Sequence, residues 1–126
     1  MMTTTLHSDL YGWWRILETP GWPKGLDALG PAMLSLTGSG DRLRMHCLLA
    51  YVIVRPTLRG ASFMWEGAWE YDPVRGTGSV SLRKDGKLHG RIKIQNGDES
   101  TFVAERANEP DEPIPHPPSY RDKWRR

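Results

Sequence analysis

Residues 61–106 read ASFMWEGAWE YDPVRGTGSV SLRKDGKLHG RIKIQNGDES TFVAER. Within this stretch four short runs, at 61–70, 76–83, 87–95 and 99–106, place apolar and polar side chains alternately. A period of two is the mark of a strand with one face buried. The runs are broken at Asp72-Pro73, Asp85-Gly86 and Asn96-Gly97. Asp-Gly and Asn-Gly favour two-residue type I′ hairpins, because both central positions there need positive φ.

The pattern extends towards the N-terminus. Residues 11–18 (YGWWRILE) read as a first strand that stops at Pro20-Gly21, and 32–37, 42–47 and 50–55 read as three more, separated by the GSGD loop at 38–41 and closed by Pro56. Residues 21–31 are glycine-rich and predict one short helical turn around Leu26 to Leu29. That gives eight strands in sequence. A meander of this length removes its open edges most simply by closing, so the expected fold is all-β: an eight-stranded antiparallel up-and-down barrel. Its expected extent is 11–106, after a flexible 1–10 and before an irregular proline-rich tail at 107–126.

Alternation assigns an inside and an outside. Trp14, Ile16, Leu34, Leu36, Leu43, Met45, Phe63, Trp65, Trp69, Val80, Leu82, Leu88, Ile92, Ile94, Phe102 and Ala104 are expected to point inward. Arg15, Arg42, Arg44, His46, His89, Arg91 and Lys93 are expected on a solvated exterior. Residues 47–54 (CLLAYVIV) break the rule by being apolar at every position, so one row of this strand faces outward and calls for a cover. The tail, residues 21–31 or another chain could supply it.

Bulk properties narrow the function. A formal charge of +2 over 126 residues falls short of the basic stripe of a dedicated nucleic-acid binder. Arg42, Arg44, His46, His89, Arg91 and Lys93 with Trp13, Trp22 or Tyr120 give nucleic acid only weak support. Cys47 is the single cysteine, which suits a reducing, cytoplasmic setting; no apolar run is long enough for a membrane helix, and no membrane partner is expected.

No catalytic residue emerges. Ser39 lies in a hairpin loop, and Glu66 and Glu70, four strand positions or about 13 Å apart, are too far separated for paired-carboxylate chemistry. Gly76-Thr77-Gly78 precedes a strand and not a helix N-terminus, so it cradles no phosphate. The histidines His7, His46, His89 and His116 are scattered, which argues against a metal site or a haem ligand, and no cofactor is expected.

Gly12-Trp13-Trp14 on the first strand, with Arg106 on the last, resembles the G-x-W and terminal Arg of the lipocalin-like (calycin) barrels. The resemblance implies that Trp14 packs at the closed end with Arg106 laid across it, and gives Gly12, Trp14 and Arg106 structural roles. A closer likeness is to small bacterial proteins running from GWWRI (12–16) through FMWEG (63–67), DPVRGTG (72–78) and LHGRI (88–92) to GDESTFVAER (97–106). It spans residues 10–106, implies the same barrel and carries no activity with it. Residues 21–31 and the tail are the departures.

Two functional readings follow. In the first, the protein is a non-enzymatic interaction module, an accessory or inhibitor of a larger complex. It would bind a partner protein or another copy of itself through the outer surface and tail, with Trp22, Leu49, Tyr51, Ile53, Pro115, Pro118, Tyr120 and Trp124 as contact residues. The motif 113–118 (PIPHPP) favours polyproline II, which docks on aromatic grooves at low entropic cost. In the alternative, the lumen carries a small apolar ligand among Trp14, Phe63, Trp65, Trp69 and Phe102, although such large rings use up the space of an eight-stranded barrel.

Overall fold

In the computed structural model, which describes residues 6–117, eight antiparallel strands form one closed barrel. They are β1 (Gly12–Glu18), β2 (Met33–Leu36), β3 (Asp41–Met45), β4 (Leu48–Pro56), β5 (Gly60–Trp69), β6 (Asp72–Leu82), β7 (Leu88–Ile94) and β8 (Glu99–Ala107). Each pairs with the next, and β8 returns to β1 through Trp14 opposite Arg106, so no edge is left open. None of the described residues forms a helix that could cross a membrane.

The inward rows form a single core, and its largest rings are accommodated by glycines. Phe63 is paired across strands with Gly78, Trp65 with Gly76 and Phe102 with Gly90. A Cβ at Gly78 would fall 2.1 Å from Phe63 Cζ, one at Gly76 would fall 2.6 Å from Trp65 Cζ2, and one at Gly90 would fall 2.3 Å from Phe102 Cζ. Each ring therefore lies over the bare backbone of the neighbouring strand. The inward-pointing Ile16, Leu34, Leu36, Leu43, Met45, Leu88 and Ile92 are fully buried around these rings.

Both barrel ends are closed by local segments. At one end Leu10 is buried, and its carbonyl accepts a hydrogen bond from Trp14 Nε1 at 2.9 Å. The Arg106 guanidinium lies 4.1 Å above the Trp14 ring, donating to the carbonyls of Tyr11 (2.6 Å) and Asp9. Gly12, at φ +127°, leaves room for it, since a Cβ there would stand 2.9 Å from Arg106 Nη1. At the other end residues 19–32 fold over the opening and bring Trp22 and Leu26 onto the core.

Several sequence expectations need correcting. The helical turn at Leu26 to Leu29 does not form. Two separate turns stand there instead, Ala28 N–H to Gly25 and Gly30 N–H to Asp27, flanked by Gly25 and Gly30 at positive φ. The Asp27 carboxylate holds this loop by accepting from Ala32 N (2.9 Å) and Arg15 Nη2 (2.7 Å).

The β5–β6 turn is Glu70-Tyr71 and not Asp72-Pro73: Glu70 takes the left-handed conformation at φ 58°, and Pro73 sits early in β6 opposite Ala68. Asp85-Gly86 and Asn96-Gly97 are not type I′ pairs, because only Gly86 and Asn96 have positive φ. Leu82, at the end of β6, is exposed. Arg44 and His46 are buried. Arg44 is covered because Gly30 and Pro31 lie on it, its Nε donating to the Pro31 carbonyl at 2.9 Å. His46 turns inward because φ 53° at the β3–β4 turn breaks the alternation.

Candidate functional site

The apolar strand β4 decides where the exterior differs from ordinary solvated surface. Leu48, Ala50 and Val52 point into the core, while Tyr51 and Ile53 point out and remain 41% and 66% exposed. The strand register extends these two positions into rows across the wall. One row runs Arg42, Tyr51, Glu66, Arg75, from β3 to β6. The next runs Ile53, Met64, Thr77, Lys93, from β4 to β7. Met64 is 55% exposed.

Between the rows lies an open groove of about 610 Å³, lined by Tyr51, Ile53, Met64, Glu66, Arg75, Thr77 and Lys93 together with Trp65, Gly76, Gln95 and Asn96. Its apolar side chains stand beside charges of both signs. Such a surface can take a chain segment that is itself part apolar and part charged.

The tail is docked beside this groove. Arg42 Nη1 donates to the carbonyls of Ile114 (3.2 Å) and Pro115 (3.4 Å), and its Nη2 lies 2.6 Å from His116 Nδ1. Tyr51 Oη is 2.9 Å from the same nitrogen, and the Arg42 guanidinium stacks 4.8 Å over the Tyr51 ring. Ile114 is buried. The outward apolar row of β4 is thus partly covered by the chain's own tail, and Ile53 is left open.

The remaining site candidates divide between wall and interior. Leu49 is half-buried in the outward row between Arg44 and Ala68. Pro115 is exposed, and Pro118, Tyr120 and Trp124 lie outside the described residues. Trp14, Phe63, Trp65 and Phe102 are buried in the core.

Trp22 faces the barrel end and not the outer wall, edge-on to His46 (5.8 Å) and Trp69 (5.9 Å), while His46 stacks on Trp69 at 5.7 Å. The Thr19 hydroxyl donates to the Trp22 carbonyl (2.8 Å), so its 2.9 Å contact with His46 requires Nε2 to carry the proton. Burial pushes the His46 imidazole below its ordinary pKa, opposed by a backbone hydrogen bond at Lys24 and by the charge of Asp27.

Arg42, Met64, Arg75, Thr77, Lys93 and His116 were not among the contact residues read from the sequence. The signal for the barrel residues was the period-two continuation of Tyr51 and Ile53 into later strands, which becomes readable once each hairpin's register is known. Among the described residues no three His, Cys, Asp or Glu side chains are grouped as a metal ion would require. Compared with known proteins, the chain matches no family model, no curated protein and no solved structure.

Proposed function

We propose that this barrel is a non-enzymatic interaction module whose outer β4–β7 face binds an extended segment of a partner polypeptide. The observation that carries the reading is the docked tail: the wall already holds one proline-rich stretch through Arg42 and Tyr51, and an open groove with exposed Ile53 and Met64 continues the same rows. An extended segment presents free backbone groups and alternating side chains, which suits a surface of pockets between strand rows. The core packing weighs against the alternative of a small-ligand carrier, since the rings that would line a lumen are pressed onto Gly76, Gly78 and Gly90. The Arg106 guanidinium over Trp14 supports kinship with the lipocalin-like barrels as scaffold only.

Peptide display on the full chain tests this. Fully covering a side chain such as isoleucine or methionine stabilises by about 1.5–3 kcal/mol. Loss of even part of that at two positions is worth at least about tenfold in affinity. Selected peptides should therefore bind the full chain and lose at least about tenfold with Ile53→Lys and Met64→Lys together. Failure to select any peptide, or peptides indifferent to both substitutions, refutes the reading.

A further inference from the structure

Given the outer wall as the binding face, on which this step rests, we propose that the partner segment is acidic and proline-rich, with an apolar side chain at one position and a carboxylate three positions away.

Three observations point to it. The first is placement. Ile53 of β4 and Met64 of β5 stand directly opposite each other, and both are exposed. Further round the wall, Arg75 of β6 and Lys93 of β7 line the other half of the groove. Lys93 pairs with Thr77, two positions along β6 from Arg75, so the two cations are diagonal neighbours about 7 Å apart at their roots. One carboxylate placed between them can accept from both.

The second is charge. Register sets Glu66 opposite Arg75 and Glu99 opposite Lys93. Glu99 nevertheless pairs with Arg91, at 3.7 Å, and among the described residues neither Arg75 nor Lys93 is held in an ion pair. Glu66 is the single carboxylate in the groove lining against these two cations, so the groove favours an anionic segment.

The third is spacing. From the Ile53–Met64 pair to the Arg75–Lys93 pair is two interstrand spacings, about 10 Å. Same-side residues of a β-strand fall about 7 or 13 Å apart and miss that interval. In polyproline II every third residue returns to the same side after about 9 Å. A proline-rich segment crossing the strands therefore sets an apolar side chain on one half and a carboxylate on the other. The adjoining wall already holds such a stretch, from Arg42 of β3 at Ile114 to Tyr51 of β4 at His116, and Tyr51 also lines the groove.

Peptide display on the full chain and its variants tests the chemistry. Peptides selected on the parent should be enriched in Asp or Glu three positions from an apolar residue. They should lose about three- to tenfold in affinity with Arg75→Gln and Lys93→Gln together, as expected for two solvent-exposed charge contacts. Selection on a chain carrying Arg75→Glu and Lys93→Glu should enrich Lys or Arg at that position instead.

Peptides without the acidic enrichment, or with unchanged affinity for the glutamine variant, overturn the proposal. So does displacement of the peptides by random-sequence single-stranded DNA at the concentrations at which the peptides compete with one another, which would assign the cations to nucleic acid. The two readings fail separately. Peptides that depend on Ile53 and Met64 but carry no acid leave the binding face standing and remove the acidic partner. Acidic peptides that depend on Arg75 and Lys93 but tolerate Ile53→Lys with Met64→Lys keep the acidic partner and remove the apolar anchorage. Failure to select any peptide overturns both.

Discussion

Replacing Gly78 by alanine puts a methyl carbon 2.1 Å from Phe63 Cζ, 2.5 Å from Cε2 and 2.7 Å from Cε1, with no backbone atom among the three nearest neighbours. The conflict is therefore with one ring, on the strand paired with it. Gly78 has no positive φ, so the alanine backbone itself is unstrained. Overpacking of this kind costs about 1–3 kcal/mol. Phe63→Ala alone removes a buried ring and costs about 3–5 kcal/mol.

Additive effects would place the double variant about 4–8 kcal/mol below the parent. The ring-over-glycine packing predicts otherwise: with Phe63 gone the new methyl enters vacated space, so Gly78→Ala in the Phe63→Ala background should be neutral or stabilising by up to about 1 kcal/mol. Urea unfolding of the four proteins, followed by circular dichroism, measures the coupling, expected at about 2 kcal/mol. An equal cost for Gly78→Ala in both backgrounds would refute a core filled by that ring, and with it the main structural argument against a ligand-carrying lumen.

Arg106→Gln removes the guanidinium over Trp14 and should cost about 1–2 kcal/mol, read as a lower urea midpoint with unchanged slope; no change would show that Arg106 is not needed to hold that end shut. His46 titrates below its ordinary value in the folded protein. Its neutral state therefore contributes stability that is fully present above about pH 6.5 and is lost as pH falls through the folded-state pKa. The variant His46→Asn, which tolerates the left-handed backbone, should lose less stability between pH 7.5 and 5 than the parent; identical pH dependence refutes the assignment. Arg42→Ala should release the tail, with faster proteolysis within residues 108–117 and barrel stability lowered by up to about 1.5–3 kcal/mol as the buried Ile114 is uncovered. Unchanged proteolysis would mean that Arg42 does not anchor the tail.

Most of the strands were legible because a half-buried strand announces itself through alternation, while β4, apolar throughout, was marked by its closing Pro56. Their ends were not. Glu70 and His46 adopt left-handed backbone without being glycine or asparagine, since a two-residue connection between long paired strands forces them to, and local propensity does not show that constraint. Pro73 reads as a breaker, yet it is tolerated near the start of β6.

The doubly apolar β4 correctly pointed to an exterior that something covers. What covers it depends on the tail's path, and the groove depends on registers that align Met64 with Ile53 and Glu66 with Tyr51. Those pairings are tertiary facts, set by turn lengths that the sequence reading had placed differently. The sequence places Trp22 among the outer contact residues. The loop's own hydrogen bonds bring it instead onto His46 and Trp69.

The central claim is that binding happens on the outside of the wall. Chemical-shift mapping of the labelled full chain with a display-selected peptide tests it most directly. The account predicts shifts concentrated at the outward-facing Ile53, Met64, Glu66, Thr77 and Lys93, with Leu43, Ile92 and Phe102 unmoved. Shifts concentrated at those inward residues, with the outer rows silent, would contradict it.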